Sequence, residues 1–147
     1  MVAIDHIVVV SEDPKRDAET YGKQFGIEIQ AGGTHTQWGT YNYLGYLEND
    51  SYLEWINVYD AELAKKSDNP LIRQIVKAVE KKEYGTLTYA LRTENMDDLK
   101  AYFDEQKVPY LGPFPGARKK EDGSTLSWRM LFPTEEENMP FFIEWGK

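Results

Sequence analysis

Two short stretches put a carboxylate where an apolar strand would not keep one. Tyr52-Leu53-Glu54-Trp55 stands near the middle of the chain and Phe142-Ile143-Glu144-Trp145 near its end, each an aromatic, an aliphatic, a glutamate and a tryptophan. A lone charge inside a β-prone apolar run is costly unless something pairs with it. Two such stretches suggest a duplicated module, each copy placing one Glu at the same structural spot. His6 adds an imidazole from an earlier strand, Ile4 to Val10, whose alternation puts Ile4, His6, Val8 and Val10 on one face and Asp5, Ile7 and Val9 on the other. If the halves pack about a pseudo-twofold, His6, Glu54 and Glu144 converge in one cleft. One nitrogen and two carboxylates form a donor set suited to Mn, Fe, Ni or Zn. Without a metal, two adjacent glutamates repel and one carboxyl pKa rises. His6 serves equally as a hydrogen-bonded core histidine, and the glutamates as solvated strand ends.

Other residues are candidates for holding a substrate. Arg129 lies in an apolar strand, where its fork clamps a carboxylate or carbonyl, or its stem snorkels to solvent. Asn42 reaches a substrate oxygen or bonds a strand edge. Trp38 and Trp128 are stacking walls of a pocket or plain core.

The elements that must position these residues can be read in order. Asp13-Pro14 starts a helix whose stripe is Ala18, Tyr21 and Phe25, and Gly26 stops it. Ile27 to Gln30 is a short strand, followed by a glycine-rich loop from Gly32 to Thr40 that lacks the Lys-Ser/Thr of a phosphate loop. Tyr41 to Glu48 and Tyr52 to Tyr59 form a hairpin. Asn69-Pro70 opens a helix with Ile72, Ile75, Val76 and Val79 on one face, expected to pack outside the sheets as a connector. Gly85 to Thr93 is a strand, Asn95 caps a helix, and Thr125 to Phe132 and Phe141 to Trp145 are strands flanking the acidic turn Thr134 to Asn138. Gly112 to Gly123 is too long for a mere connector and is expected to be a lid. The reading is α+β: two β-α-β-β-β modules, residues 1–60 and 85–147, form a curved mixed sheet around a cleft, with an extra connecting helix at 61–84. Aligning Val10-Ser11-Glu12-Asp13 with Arg92-Thr93-Glu94-Asn95 matches His6 with Thr88, and the echoed motif matches Glu54 with Glu144.

Composition narrows the function. A net charge of −8 with no basic stripe argues against a nucleic-acid partner. The absence of cysteine removes disulfides, thiol nucleophiles and thiolate metal sites. No basic leader with an apolar core opens the chain, and no run approaches membrane-spanning length, so a cytoplasmic protein with no membrane partner is expected.

The repeat resembles the vicinal oxygen chelate superfamily, which includes glyoxalase I, extradiol dioxygenases, fosfomycin-resistance enzymes and bleomycin-binding proteins. The stretch from Gly32 to Asn42, Tyr52-Leu53-Glu54, Gly123 with Trp128-Arg129, and Pro140 to Trp145 look like its glyoxalase-like domain subfamily. The resemblance implies a divalent ion held by His6, Glu54 and Glu144, with Thr88 departing from the fourth ligand position. It makes His35 a pocket-rim acid/base or an alternative ligand, and it implies a homodimer. The expected function is a metal-dependent lyase, isomerase or dioxygenase on a small oxygen-rich substrate, in which Glu144 or His35 moves the proton. The alternative is a small-molecule binder like the bleomycin-resistance proteins.

Overall fold

Local chemistry sets the helix starts. The computed structural model describes residues 2–133 and 139–146. Asp13 accepts a hydrogen bond from the Arg16 amide at the start of helix α1 (Pro14–Phe25), which ends at a left-handed Gly26. Asn69 caps α3 (Pro70–Lys81) and Asn95 caps α4 (Met96–Glu105) in the same way. A short α2 (Ala61–Lys65), capped by Asp60, precedes α3 and was not foreseen. The acidic turn Thr134 to Asn138 lies outside the described residues.

The strands are β1 (Val2–Val10), β2 (Glu28–His35), β3 (Thr40–Tyr46), β4 (Tyr52–Val58), β5 (Gly85–Thr93), β6 (Leu111–Lys119), β7 (Thr125–Phe132) and β8 (Phe141–Trp145). They form one mixed sheet in the order β2-β3-β4-β1-β5-β8-β7-β6, so the two halves mirror each other across the antiparallel β1–β5 pair. In that pair His6 faces Ala90 and Val8 faces Thr88. A twofold axis that maps His6 onto Thr88 therefore also maps Val8 onto Ala90, as the sequence alignment of the halves requires.

Strand β1 departs from simple alternation. Its register against β5 shifts between Ile4 and His6, and Asp5 is the extra residue of that bulge. Asp5 and His6 are consequently both buried while Ile4 is 54% exposed, so Asp5 does not take the outer face that alternation assigned to it. The counterpart bulge in β5, between the residues paired with Val8 and Val9, leaves out Leu87.

The sheet curls until its outer strands meet. Gln37 clasps them: its Nε2 donates to the Pro115 carbonyl and its Oε1 accepts from the Ala117 amide, at 3.1 and 3.2 Å. Three expectations change as a result. Helix α3 lies inside the curl, because Leu71, Ile72, Ile75, Val76 and Ala78 join one cluster with Val8, Ile56, Trp128, Met130 and Phe141 from the sheet. A helix so broadly apolar has no stable place on an outer face. The expected lid is strand β6, an edge strand, where Pro113 and Pro115 are tolerated because no neighbour needs their missing N–H. The glycine-rich stretch continues β2 as far as His35, so only Thr36 to Gly39 turn.

Ile75 is fully buried at the centre of this cluster. Ile75→Ala is expected to lower unfolding stability by about 2–5 kcal/mol in urea titrations. A loss below about 1 kcal/mol would contradict an interior α3.

Candidate active site

The curled sheet and α3 enclose a cavity of about 740 Å3. Leu44, Ile56, Leu71, Ile72 and Met130 supply apolar lining, and Trp38, Trp128 and Trp145 supply aromatic lining. Polar groups gather mainly from the first half: Asp5 and His6 on β1, His35 on β2, Asn42 on β3 and Glu54 on β4, all buried.

These groups form a chain of contacts. Asp5 Oδ2 lies 2.7 Å from His6 Nδ1. Asp5 Oδ1 accepts from Trp145 Nε1 at 3.0 Å and from Arg92 at 3.2 Å. Burial pushes the Asp5 carboxyl up, but the hydrogen bond and charge of His6, then Trp145 and Arg92, outweigh it and hold the group below the usual carboxylate range. The Asp5 bond fixes the His6 proton on Nδ1, leaving Nε2 as the open nitrogen, 3.7 Å from Glu54 Oε1. Glu54 Oε2 in turn accepts from Asn42 Nδ2 at 2.5 Å. Tyr52, paired with His6 in register, stacks flat on the imidazole at 4.7 Å, and Phe141 meets it edge-on at 5.9 Å. The ring therefore has little freedom to turn. Burial, with Glu54 and Asp5 nearby, pushes the Tyr52 hydroxyl well above the ordinary tyrosine range.

Two glycines make room for this arrangement. A Cβ at Gly32 would stand 1.9 Å from Asn42 Oδ1, and one at Gly116 would stand 2.2 Å from Trp128 Nε1. His35 is not on the rim: it is 5% exposed, bonded through Nδ1 to Thr40 Oγ1 at 2.9 Å, and packed against Trp38 and Trp128.

Glu144 and Arg129 do not join the cleft. Glu144 accepts from Arg129 Nε at 3.0 Å and Nη2 at 2.6 Å, and from the Met96 amide that opens α4, also at 2.6 Å. Register explains the difference. Val8 pairs with Glu54, whereas its counterpart Ala90 pairs with Phe141, so the true partner of Glu54 in the second half is Phe141. The echoed motif is displaced from the structural repeat by the step from Phe141 to Glu144, an odd number of residues, which flips a strand side chain to the other face. The structural partner of Glu144 is Asn57, whose side chain donates to the Glu12 carbonyl just before α1. Both residues pin a helix start to a strand.

The donor set does not fit the expected divalent ion. His6 Nε2 and Glu54 Oε1 lie 3.7 Å apart, and among the described residues no three His, Cys, Asp or Glu side chains are grouped to hold a metal. Protein sites for Zn, Mn or Fe use three or more such ligands. The counterparts of His6 and Glu54 are Thr88, whose hydroxyl donates to the Met139 carbonyl at 2.6 Å, and Phe141.

Sequence reading missed Asp5, Arg92, Tyr52, Trp145 and Arg118, all of which line the cavity. Arg92 shares the alternation of Thr88 along β5 and was open to detection. Asp5 carried no sequence signal, because its bulge arises from pairing with β5.

Comparison with known proteins matches residues 4–147 to the family described as the glyoxalase-like domain. A hypothetical protein from Staphylococcus aureus is similar over 100% of this chain at 24% identity, with a TM-score of 0.83; the chain spans 60% of that protein. Methylmalonyl-CoA epimerase from Mycobacterium tuberculosis is 16% identical, with a TM-score of 0.67 over 98% of this chain and 88% of that one. A Streptomyces coelicolor methylmalonyl-CoA epimerase variant in complex with 2-nitronate-propionyl-CoA is 19% identical, with a TM-score of 0.67 over 96% and 95%. At these identities the likeness shows the fold. No curated protein matches the chain.

Burial lowers the His35 pKa below the ordinary 6.5; Glu54 opposes this and Arg118 adds to it. The unfolded chain therefore takes up a proton near pH 6.5 that the folded chain refuses until lower pH. The contribution is fully present above that value and declines as pH falls through the window between the two pKa values, at up to about 1.4 kcal/mol per pH unit. Urea unfolding at pH 8 and pH 5 is expected to show this loss, and His35→Gln is expected to reduce it. An unchanged slope in the variant would contradict a buried neutral His35.

Proposed function

The chain belongs to the glyoxalase-like domain family of the vicinal oxygen chelate fold, and we propose that it is an enzyme that moves a proton at the carbon next to a carbonyl of a small, oxygen-bearing substrate. The observation that carries this reading is the Asp5–His6–Glu54 chain, with an open imidazole nitrogen in an aromatic cavity.

In this reading His6 Nε2 takes the proton, and the electrons of the C–H bond pass to the carbonyl oxygen as an enolate. Asp5 and Glu54 flank the resulting imidazolium and stabilise its charge. The proton then returns to carbon from His6. His35 Nδ1 lies 2.9 Å from Thr40 Oγ1; in this reading the Thr40 hydroxyl is the donor of that bond, which leaves Nε2–H of a neutral His35 to donate to the enolate oxygen. Asn42 orients Glu54. Methylmalonyl-CoA epimerases share the fold, and epimerisation is a proton transfer of this kind, but their likeness carries the fold alone. The metal-dependent lyase and dioxygenase readings have less support, because among the described residues no three His, Cys, Asp or Glu side chains are grouped to hold an ion. The protein works in the cytoplasm in this account.

A second reading, a non-catalytic small-molecule binder, is supported by the three tryptophans that line the cavity. Deuterium exchange separates the two. Small 2-oxo acids, 2-hydroxy carbonyls and thioesters incubated with the protein in D2O are expected to include one that gains deuterium beside its carbonyl, read by NMR. His6→Gln should slow that exchange by about 10²–10⁴-fold. Glu144→Gln, outside the cleft, should leave it unchanged while lowering stability. Binding without exchange across the panel would favour the binder, and exchange that survives His6→Gln would contradict the proposal.

A further inference from the structure

Two guanidinium groups face the cavity, and they differ in what they already hold. Arg92 is committed: it donates to Asp5 and to the carbonyls of Asp50 and Asn49. Arg118, half-buried on β6, makes no hydrogen bond or ion pair among the described residues. Its position is nevertheless built. The Gln37 clasp pins Pro115 and Ala117, the residues just before it, to the other half of the molecule. Its side chain crosses the gap between the outer strands at Gly33, where a Cβ would lie 3.9 Å from its Cδ and 4.0 Å from its Nη1. A guanidinium that loses hydration and gains no partner is costly, so a cation held there calls for an anion.

We infer that Arg118 is the specificity-determining anchor for a substrate carboxylate, and that the cleft takes monocarboxylic acids with an apolar or aromatic body. The guanidinium fork matches a carboxylate through two hydrogen bonds. Leu126, its partner on β7, and Trp38 and Trp128 in the same cavity lining offer the apolar surface for the rest of the ligand. A phosphate dianion suits the site less: one guanidinium offsets one negative charge, and the cavity already contains Asp5 and Glu54. The field of Arg118 reaches the interior, since its charge lowers the pKa of His35 and opposes the rise at Tyr52. The inference deepens the proton-transfer reading by naming its substrate class, but anchoring an anion does not depend on His6.

The test uses matched probes and the intrinsic fluorescence of the cavity tryptophans. Phenylacetate is expected to bind at least about 10-fold more tightly than phenylacetamide, the usual scale of one charge-assisted contact, and more tightly than phenyl phosphate. Arg118→Gln should bring the acid-to-amide ratio to about one while phenylacetamide binding and the melting temperature hold. Arg118→Lys should restore part of the preference. Equal binding of acid and amide, no phenylacetate binding up to about 20 mM, tighter binding of phenyl phosphate, or a preference that survives Arg118→Gln would overturn the inference. His6→Gln is expected to keep the acid preference, so loss of exchange with the preference intact would sink the proton-transfer reading alone.

Discussion

The site depends on one buried carboxylate placed by a backbone irregularity. In a regular strand Asp5 would face away from His6. The bulge turns it inward beside the imidazole, where His6, Trp145 and Arg92 satisfy it. Each of those partners comes from a different strand, so a single side chain ties β1, β5 and β8 together under the cavity. An unpaired carboxylate at that depth would be expensive, and removing any one partner would leave part of that cost exposed. The same bond sets which nitrogen of His6 is open, and so links the curl of the sheet to the chemistry of the cleft.

The duplicated backbone carries an unequal division of labour. Across the pseudo-twofold, Asp5 corresponds to Leu87, His6 to Thr88 and Glu54 to Phe141. The first half presents groups that titrate. At the same places the second half presents a leucine that packs on the core, a hydroxyl bonded to a carbonyl, and a ring set against the imidazole. Among the described residues the polar groups of the cavity therefore form a one-sided cluster against an apolar wall rather than a donor set shared evenly between the halves. Apolar surface on that side lowers the local dielectric, which strengthens the contacts among Asp5, His6 and Glu54.

Much of the fold was legible because its signals are local. Asp13, Asn69 and Asn95 cap helices through atoms within a few residues, and β7 and β8 follow their apolar runs residue for residue. Register was legible where an aligned helix start fixed it, as at His6 and Thr88. It failed where a motif stood in for it: Glu144 repeats the neighbours of Glu54 but not its place in the ladder. The side of the sheet on which α3 packs, the conversion of a Pro/Gly segment into the edge strand β6, and the inward turn of Asp5 all depend on contacts between distant segments. Periodicity along one segment does not encode them.

The central claim is that Asp5 faces the cleft and fixes the tautomer of His6. The chain has two histidines, His6 and His35, so long-range nitrogen–proton NMR on imidazole-labelled protein resolves each. The account predicts that neutral His6 carries its proton on Nδ1, and that Asp5→Asn disturbs this signal while that of His35 holds. A proton on Nε2 of His6 in the native protein, or a His6 signal indifferent to Asp5→Asn, would contradict it.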